Sequence, residues 1–202
     1  MKTAFVKNLS YDIRTPLNSV VGFTDIMLNA GDELSDEEKE VFKEKIELNS
    51  SALTALVNDI LQLSFVESER QIVDKKEYKI NEIIAEAIET AKKDCKPGIR
   101  IFDYLDESDE KTVVTDKHLA VIAVSRAIIF ATYHTRAKDI SIEVMPNDGH
   151  TTSLVVSYAI DDDMKCTEQM FSGTYFFEEE MEGCKMSLPV SRAAAERLGG
   201  SV

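Results

Sequence analysis

Two apolar series, each running in steps of four and three, constrain this chain more than any other feature. Val6, Leu9, Ile13, Pro16, Val20, Phe23 and Met27 recur with the spacing of one helix face, and Leu17, Thr24 and Leu28 widen it. Phe42, Ile46, Asn49, Leu53, Leu56, Ile60 and Leu63 form the second series. Between them, Asn29 to Leu34 reads as a loop, and Ser35 followed by Glu38 is a capping box that opens the second helix. The first 75 residues therefore predict a helical hairpin. Two helices alone have too little surface to enclose a core. Two chains pairing into an antiparallel four-helix bundle would bury both series, so a homodimer is the physical expectation. Asn49 is the one polar residue of its series, a device that fixes register. Pro16 removes one backbone hydrogen bond and crowds the carbonyl of Asp12, which predicts a bend just after position 11.

The pattern changes after residue 75. Tyr78 to Ile80 reads as a short strand, and Asn81 as the cap of a helix with Ile83, Ile84, Ala87, Ile88 and Ala91 on one face. Pro97-Gly98 stops it. Ile99 to Leu105 and Thr112 to Thr115 alternate as strands, and Lys117 to about Thr135 is an apolar helix. Ile140 to Met145 and Ser153 to Ile160 read as strands joined by a turn near Asn147-Asp-Gly149. Leu188 to Leu198 is a last helix, ended by Gly199-Gly200. Helices and strands alternating after a hairpin give an α+β fold class: a dimeric four-helix-bundle hairpin at 1–75, then an α/β sandwich at 76–202.

The stretch from Phe5 to Gly22 resembles the phospho-acceptor box of sensor histidine kinases, whose pattern runs F-x-x-x-x-S-H-E-I-R-T-P-L-x-x-I. Ser10, Ile13, Arg14, Thr15, Pro16 and Leu17 match, and Asp12 replaces Glu. Tyr11 stands at the position of the acceptor histidine. The phenol of a tyrosine, with an ordinary pKa of about 10, stays neutral and weakly nucleophilic where an imidazole attacks. Tyr11 lies two residues from Leu9, about 200° around a helix, and so points away from the seam. It shares an outward stripe with Thr15, Asn18 and Gly22, bordered by Asp12 and Ser19. That stripe is a docking face for a partner.

The second half resembles the GHKL-type ATPase domain of the same family. The resemblance implies ATP and Mg²⁺, held by an Asn-bearing helix, an adenine-reading Asp in a D-x-G-x-G pattern, and a glycine-rich lid. Counted from Leu119, the two Asn positions fall on Ser125 and Ile129, and the Lys position on Thr132. The D-x-G-x-G region falls on Ala159 to Asp163, with Ala159 near the adenine-reading place and Asp161 and Asp163 where glycines belong. Three successive carboxylates, Asp161 to Asp163, oppose a polyphosphate. They also lack the spaced ligands of an EF-hand loop. The lid region, Gly183 to Leu188, keeps one glycine and follows the acidic run Glu178 to Glu182. The expectation is a kinase-like scaffold from which the nucleotide site has been lost, with neither cofactor nor metal bound.

The net charge of −14 disfavours nucleic acid, since phosphate binding needs clustered Lys and Arg. No run is apolar enough to span a membrane. Cys95, Cys166 and Cys184 are odd in number and widely spaced, and His118, His134 and His150 show no metal spacing. The resemblance implies a cytoplasmic chain, or the cytoplasmic part of a membrane-anchored sensor, whose partner is a response-regulator receiver domain. Three functions follow. The first is a non-catalytic dimeric module that binds a receiver. The second is a phosphatase toward the phosphorylated receiver, with Asp12 and Thr15 at i and i+3 positioning a water. The third is an active kinase whose motifs are aligned differently.

Overall fold

The computed structural model describes residues 2–30, 33–68, 72–105, 111–146, 151–160, 168–171 and 186–202. The chain divides into two compact units, Met1–Leu61 and Gln62–Val202.

The first unit is the hairpin. Helix α1 spans Lys2–Ala30 and helix α2 begins at Asp36 and runs to Glu67. The capping box forms as expected: the Ser35 amide and hydroxyl both donate to Glu38 Oε2 (2.8 and 2.9 Å), and the Glu38 amide donates to Ser35 Oγ at 3.2 Å. Those bonds hold the Glu38 carboxyl below its ordinary pKa. Proline 16 lies inside α1, yet the helix is not interrupted there. Beside it, Thr15 Oγ1 donates to the Tyr11 carbonyl and Ser19 Oγ to the Thr15 carbonyl, both at 3.2 Å. Phe23 of α1 stacks on Phe42 of α2 with ring centroids 5.5 Å apart, which sets the register of the two helices. Asn49 occupies the seam but turns its amide back to the Lys45 carbonyl, 2.7 Å away.

All the described seam residues are half-buried: Leu9, Ile13, Pro16, Val20, Phe23 and Met27 on α1, and the Phe42 to Leu63 series on α2. No described side chain of α1 is fully buried. That is the physical signature of two helices with too little surface for a core.

The second unit holds the core. Its boundary falls inside α2, earlier than residue 75, because the last turns of α2 pack into this unit. Phe65 meets the His118 ring edge-on at 5.6 Å, Arg126 Nε donates to Gln62 Oε1 at 2.6 Å, and Val66 is completely buried. Strand β1 (Lys76–Lys79) pairs antiparallel with β3 (Thr112–Thr115). A separate three-stranded sheet has the order β2-β4-β5. Here β2 (Arg100–Asp103) runs parallel to β4 (Asp139–Pro146), and β4 runs antiparallel to β5 (Thr152–Tyr158). Helices α3 (Ile80–Ala91), α4 (Lys117–His134) and α6 (Ser187–Leu198) form the other layer, with the single turn α5 at Glu168–Phe171.

Ile83, Ile84, Ala87, Ile88 and Ala91 of α3 are buried as their spacing predicts. They pack with Ile128 and Ile129 of α4 and with Ile140 and Ile142 of β4. Each such isoleucine contributes roughly 1.5–3 kcal/mol. Asn81 corrects the sequence reading: α3 starts one residue before it, Lys79 is the N-cap, and no side chain caps the helix. Strand β2 is also shorter than the alternation over 99–105 suggests. The turn at 147–149 lies outside the described residues. The C-terminus of α6 closes as expected, through a left-handed Gly199 at φ 86°. Gly199 N–H donates to the Glu196 carbonyl and Gly200 N–H to that of Ala195, the paired bonds of a Schellman motif.

Candidate functional site

The box on α1 is a surface feature. Tyr11 is 61% exposed, and Thr15, Asn18 and Gly22 are exposed with it, while Asp12 and Ser19 are half-buried. The structure thus brings together all six residues read from the sequence as one strip along the helix. A Cβ added at Gly22 would meet nothing within 4 Å, so packing inside the hairpin does not require glycine there. A smooth, low strip is what glycine supplies.

The strip has a definite side. Asp12, Thr15, Ser19 and Gly22 each precede a seam residue by one position, about 100° around the helix. Ile26 does the same relative to Met27, as do Val41 relative to Phe42 and Leu48 relative to Asn49. In an antiparallel hairpin, equal offsets on both helices fall on the same side of its plane. Ile26, Val41 and Leu48 are 42%, 50% and 58% exposed. Sequence reading missed this apolar patch beside the strip, although the one-residue offset from each seam was its signal. Leu17, Val21, Leu28, Val57 and Leu61 instead follow seam residues by one position. They form an exposed apolar band on the opposite side.

The chemistry of the strip is limited. The Thr15 hydroxyl gives its one proton to the Tyr11 carbonyl, so its oxygen presents lone pairs to solvent. Such an oxygen can accept from a water and leave the lone pairs of that water pointing outward. The half-buried Asp12 lies one turn back on the same side.

The residues aligned with a nucleotide site sit elsewhere, in the second unit. Asp116 Oδ1 caps α4 by accepting from the Leu119 amide at 3.1 Å. The helix is buried on nearly every face. Ser125 is 2% exposed and donates to the Ile122 carbonyl at 3.2 Å. Ile129 lies in the isoleucine core. Thr132 is fully buried, donates to the Ile129 carbonyl and accepts from the Lys96 amide. Ala159 is exposed just past β5, and its carbonyl accepts from the Arg136 amide at 2.9 Å. Asp161, Asp163 and Gly183 lie outside the described residues, as do Cys166, Cys184 and His150.

Among the described residues, no group of three or more His, Cys, Asp or Glu is placed to hold a metal ion. Nor, among them, is any helix long and apolar enough to cross a membrane. Burial raises the pKa of the half-buried Cys95 thiol, keeping it protonated. His134 stacks on Phe130, and its Nδ1 donates to the Phe130 carbonyl at 2.8 Å. Burial pushes its pKa down.

Residues 1–69 match the family described as the His Kinase A (phospho-acceptor) domain. Over 216 aligned residues the chain is 24% identical to the sensor histidine kinase GacS of Pseudomonas protegens, covering 100% of this chain and 23% of that protein. The chain therefore spans less than a quarter of that relative. Two solved structures share the fold. The histidine kinase AdeS of Acinetobacter baumannii aligns with a TM-score of 0.62 at 14% identity, over 93% of this chain and 86% of that one. The histidine kinase ThkA, in complex with the response regulator protein TrrA, aligns with a TM-score of 0.67 at 22% identity, over 96% and 55%.

Proposed function

We propose, from the premise that this chain is built as a two-component histidine kinase core, that it works as a non-catalytic dimeric module that binds a response-regulator receiver domain. The observation that carries the reading is Tyr11, a 61% exposed phenol at the acceptor position of an otherwise well-kept box. A neutral phenol is a poor nucleophile toward a nucleotide phosphate. The α4 positions support the same reading. Mg²⁺ needs oxygen ligands, and Ile129 has none. Ser125 spends its hydroxyl on the Ile122 carbonyl, and the methyl of Ala159 cannot accept from an amine. The described residues at these positions do not fit ATP and magnesium, and no step is assigned to them.

The two sides of the hairpin divide the work. The band Leu17, Val21, Leu28, Val57 and Leu61 is the dimer face, since burial of such side chains is worth roughly 1.5–3 kcal/mol each. The opposite side carries the Tyr11 strip and the Ile26, Val41 and Leu48 patch, and it receives the partner. That a structural neighbour, ThkA, was solved with a response regulator supports a receiver as that partner.

The test is retention of purified receiver domains on the immobilised chain. Wild type retains a receiver, and Asn18→Arg, which places a long charged side chain on the strip, releases it. No retention by wild type, or equal retention by the variant, contradicts the reading.

The lone pairs of Thr15 Oγ1 favour a second reading, a phosphatase toward the phosphorylated receiver. Thr15 would orient the attacking water beside Asp12. A receiver-phosphate lifetime that the chain leaves unchanged, with or without Thr15→Ala, removes this reading.

A further inference from the structure

Lys45 breaks the charge pattern of α2. The first half of that helix carries Asp36, Glu37, Glu38, Glu40, Glu44 and Glu47, and its other lysines stand one turn from an acid. Lys43 pairs with Glu40 at 3.1 Å, and Lys39 follows Asp36 by three residues. The residues three and four positions from Lys45 are instead Val41, Phe42, Leu48 and Asn49. Glu44 and Glu47 are near in sequence, but residues one and two apart on a helix do not face each other. Lys45 is exposed, and its ammonium makes no ion pair among the described residues.

The seams and the aromatic stack fix where this cation lies on the hairpin. Lys45 precedes the seam residue Ile46 by one position, the same offset as Val41, Leu48 and the strip on α1. It is therefore on the docking side, between Val41 and Leu48. The Phe23–Phe42 stack gives the level. Lys45 is three residues past Phe42 and α1 runs the opposite way, so it is level with Val20, between Ser19 and Gly22. Gly22 is the low point of the strip, where an added Cβ would meet nothing within 4 Å. The nearest acids on this side are remote. Glu38 is about 10 Å away along α2 and is tied into the capping box, and Asp12 is about 12 Å away along the hairpin axis. Both distances exceed the Debye length of about 8 Å in physiological salt.

We propose that Lys45 selects the partner by charge: the docking side takes a receiver surface that is apolar with a carboxylate at its centre. The inference rests on the docking reading above and names the chemistry that side demands. A partner that buries Val41 and Leu48 also removes the ammonium between them from water. A desolvated ammonium without a counter-charge is strongly unfavourable, whereas a carboxylate placed on it makes a charge-assisted hydrogen bond. A partner with Lys or Arg at that point is rejected by like charge. The net charge of −14 repels acidic surfaces from the chain as a whole, so this one cation also fixes where the carboxylate lands.

Equilibrium binding of the receiver domain that wild type retains, measured on the full chain at several NaCl concentrations, tests the proposal. Lys45→Met keeps an apolar stem and deletes the charge, and Lys45→Glu reverses it. Lys93→Glu, on the second unit, makes the same change in net charge as Lys45→Glu. Both positions are exposed, and thermal melts check that all three variants fold. Lys45→Met weakens binding at least about tenfold and Lys45→Glu at least about thirtyfold, as breaking a buried charge pair does. Added NaCl weakens binding by wild type more than binding by Lys45→Met. Lys93→Glu stays within about twofold of wild type. Binding that Lys45→Met leaves unchanged or tightens overturns the inference, because the ammonium then swings aside into water. Equal weakening by Lys93→Glu also overturns it, since net charge alone then accounts for the loss. Failure of wild type to retain any receiver removes the docking reading and this inference with it, a result distinct from the other two.

Discussion

Asp116 ties α4 to the segment that leads into β1, and removing its carboxylate should unlatch both. Its Oδ1 accepts from the Leu119 amide at 3.1 Å, capping α4, and its Oδ2 accepts from the Asp74 amide at 3.0 Å. The side chain is 8% exposed, so water cannot readily replace either bond. Loss of an N-cap costs about 1–2 kcal/mol. The second bond, to a donor left half-desolvated, adds about 1 kcal/mol. Asp116→Ala should therefore lose about 2–3 kcal/mol, a large part of the 5–15 kcal/mol typical of a domain. Asp116→Asn keeps one acceptor oxygen and should lose about half as much. Urea unfolding followed by far-ultraviolet circular dichroism, at fixed protein concentration, measures both. If Asp116→Ala falls within about 0.5 kcal/mol of wild type, the capping and tethering roles are refuted.

Three further outcomes follow from the same geometry. Leu17→Lys combined with Val21→Lys places two charges in the proposed dimer band, and sedimentation equilibrium should show the mass of the principal species halved. An unchanged mass would put the dimer face elsewhere. Gly199→Ala forces an L-residue into φ 86° and should cost about 1 kcal/mol, read as a lower midpoint in thermal unfolding; an unchanged midpoint would refute the Schellman assignment. Burial holds the His134 pKa below its ordinary value, so below a pH of about 6.5 the unfolded chain binds a proton that the folded chain resists. Stability should be full above that pH and fall as pH drops through the folded pKa. His134→Gln should flatten the decline that sets in below about pH 6.5, and an identical decline in the variant would show that another group causes it.

How much of this was legible beforehand depended on whether local chemistry or tertiary packing decided each feature. The hairpin was legible because the four-and-three series is long and Ser35 and Glu38 announce the second helix. The strip on α1 follows from helical geometry alone, which is why Tyr11, Thr15, Asn18 and Gly22 lie where the sequence put them. The cap of α3 was misread because Asn81 is a strong capping residue by type, yet the β1–β3 pairing brings the chain in so that Lys79 takes that place. The parallel pairing of β2 with β4 was invisible, since partner choice between strands is a long-range matter. So was the packing of Phe65 and Gln62 into the second unit, because the periodicity of α2 runs through that boundary unchanged. The two apolar sides of the hairpin were present in the sequence as one-residue offsets. They become a statement about function only once the Phe23–Phe42 contact shows how the helices face each other.

The central claim is that this chain, which shares the fold of solved histidine kinases, works without nucleotide chemistry. Calorimetric titration of the full chain with ATP in the presence of Mg²⁺ tests it most directly. The account predicts no saturable heat. Saturable binding at micromolar affinity would contradict it and restore the kinase reading of Ser125, Ile129 and Ala159.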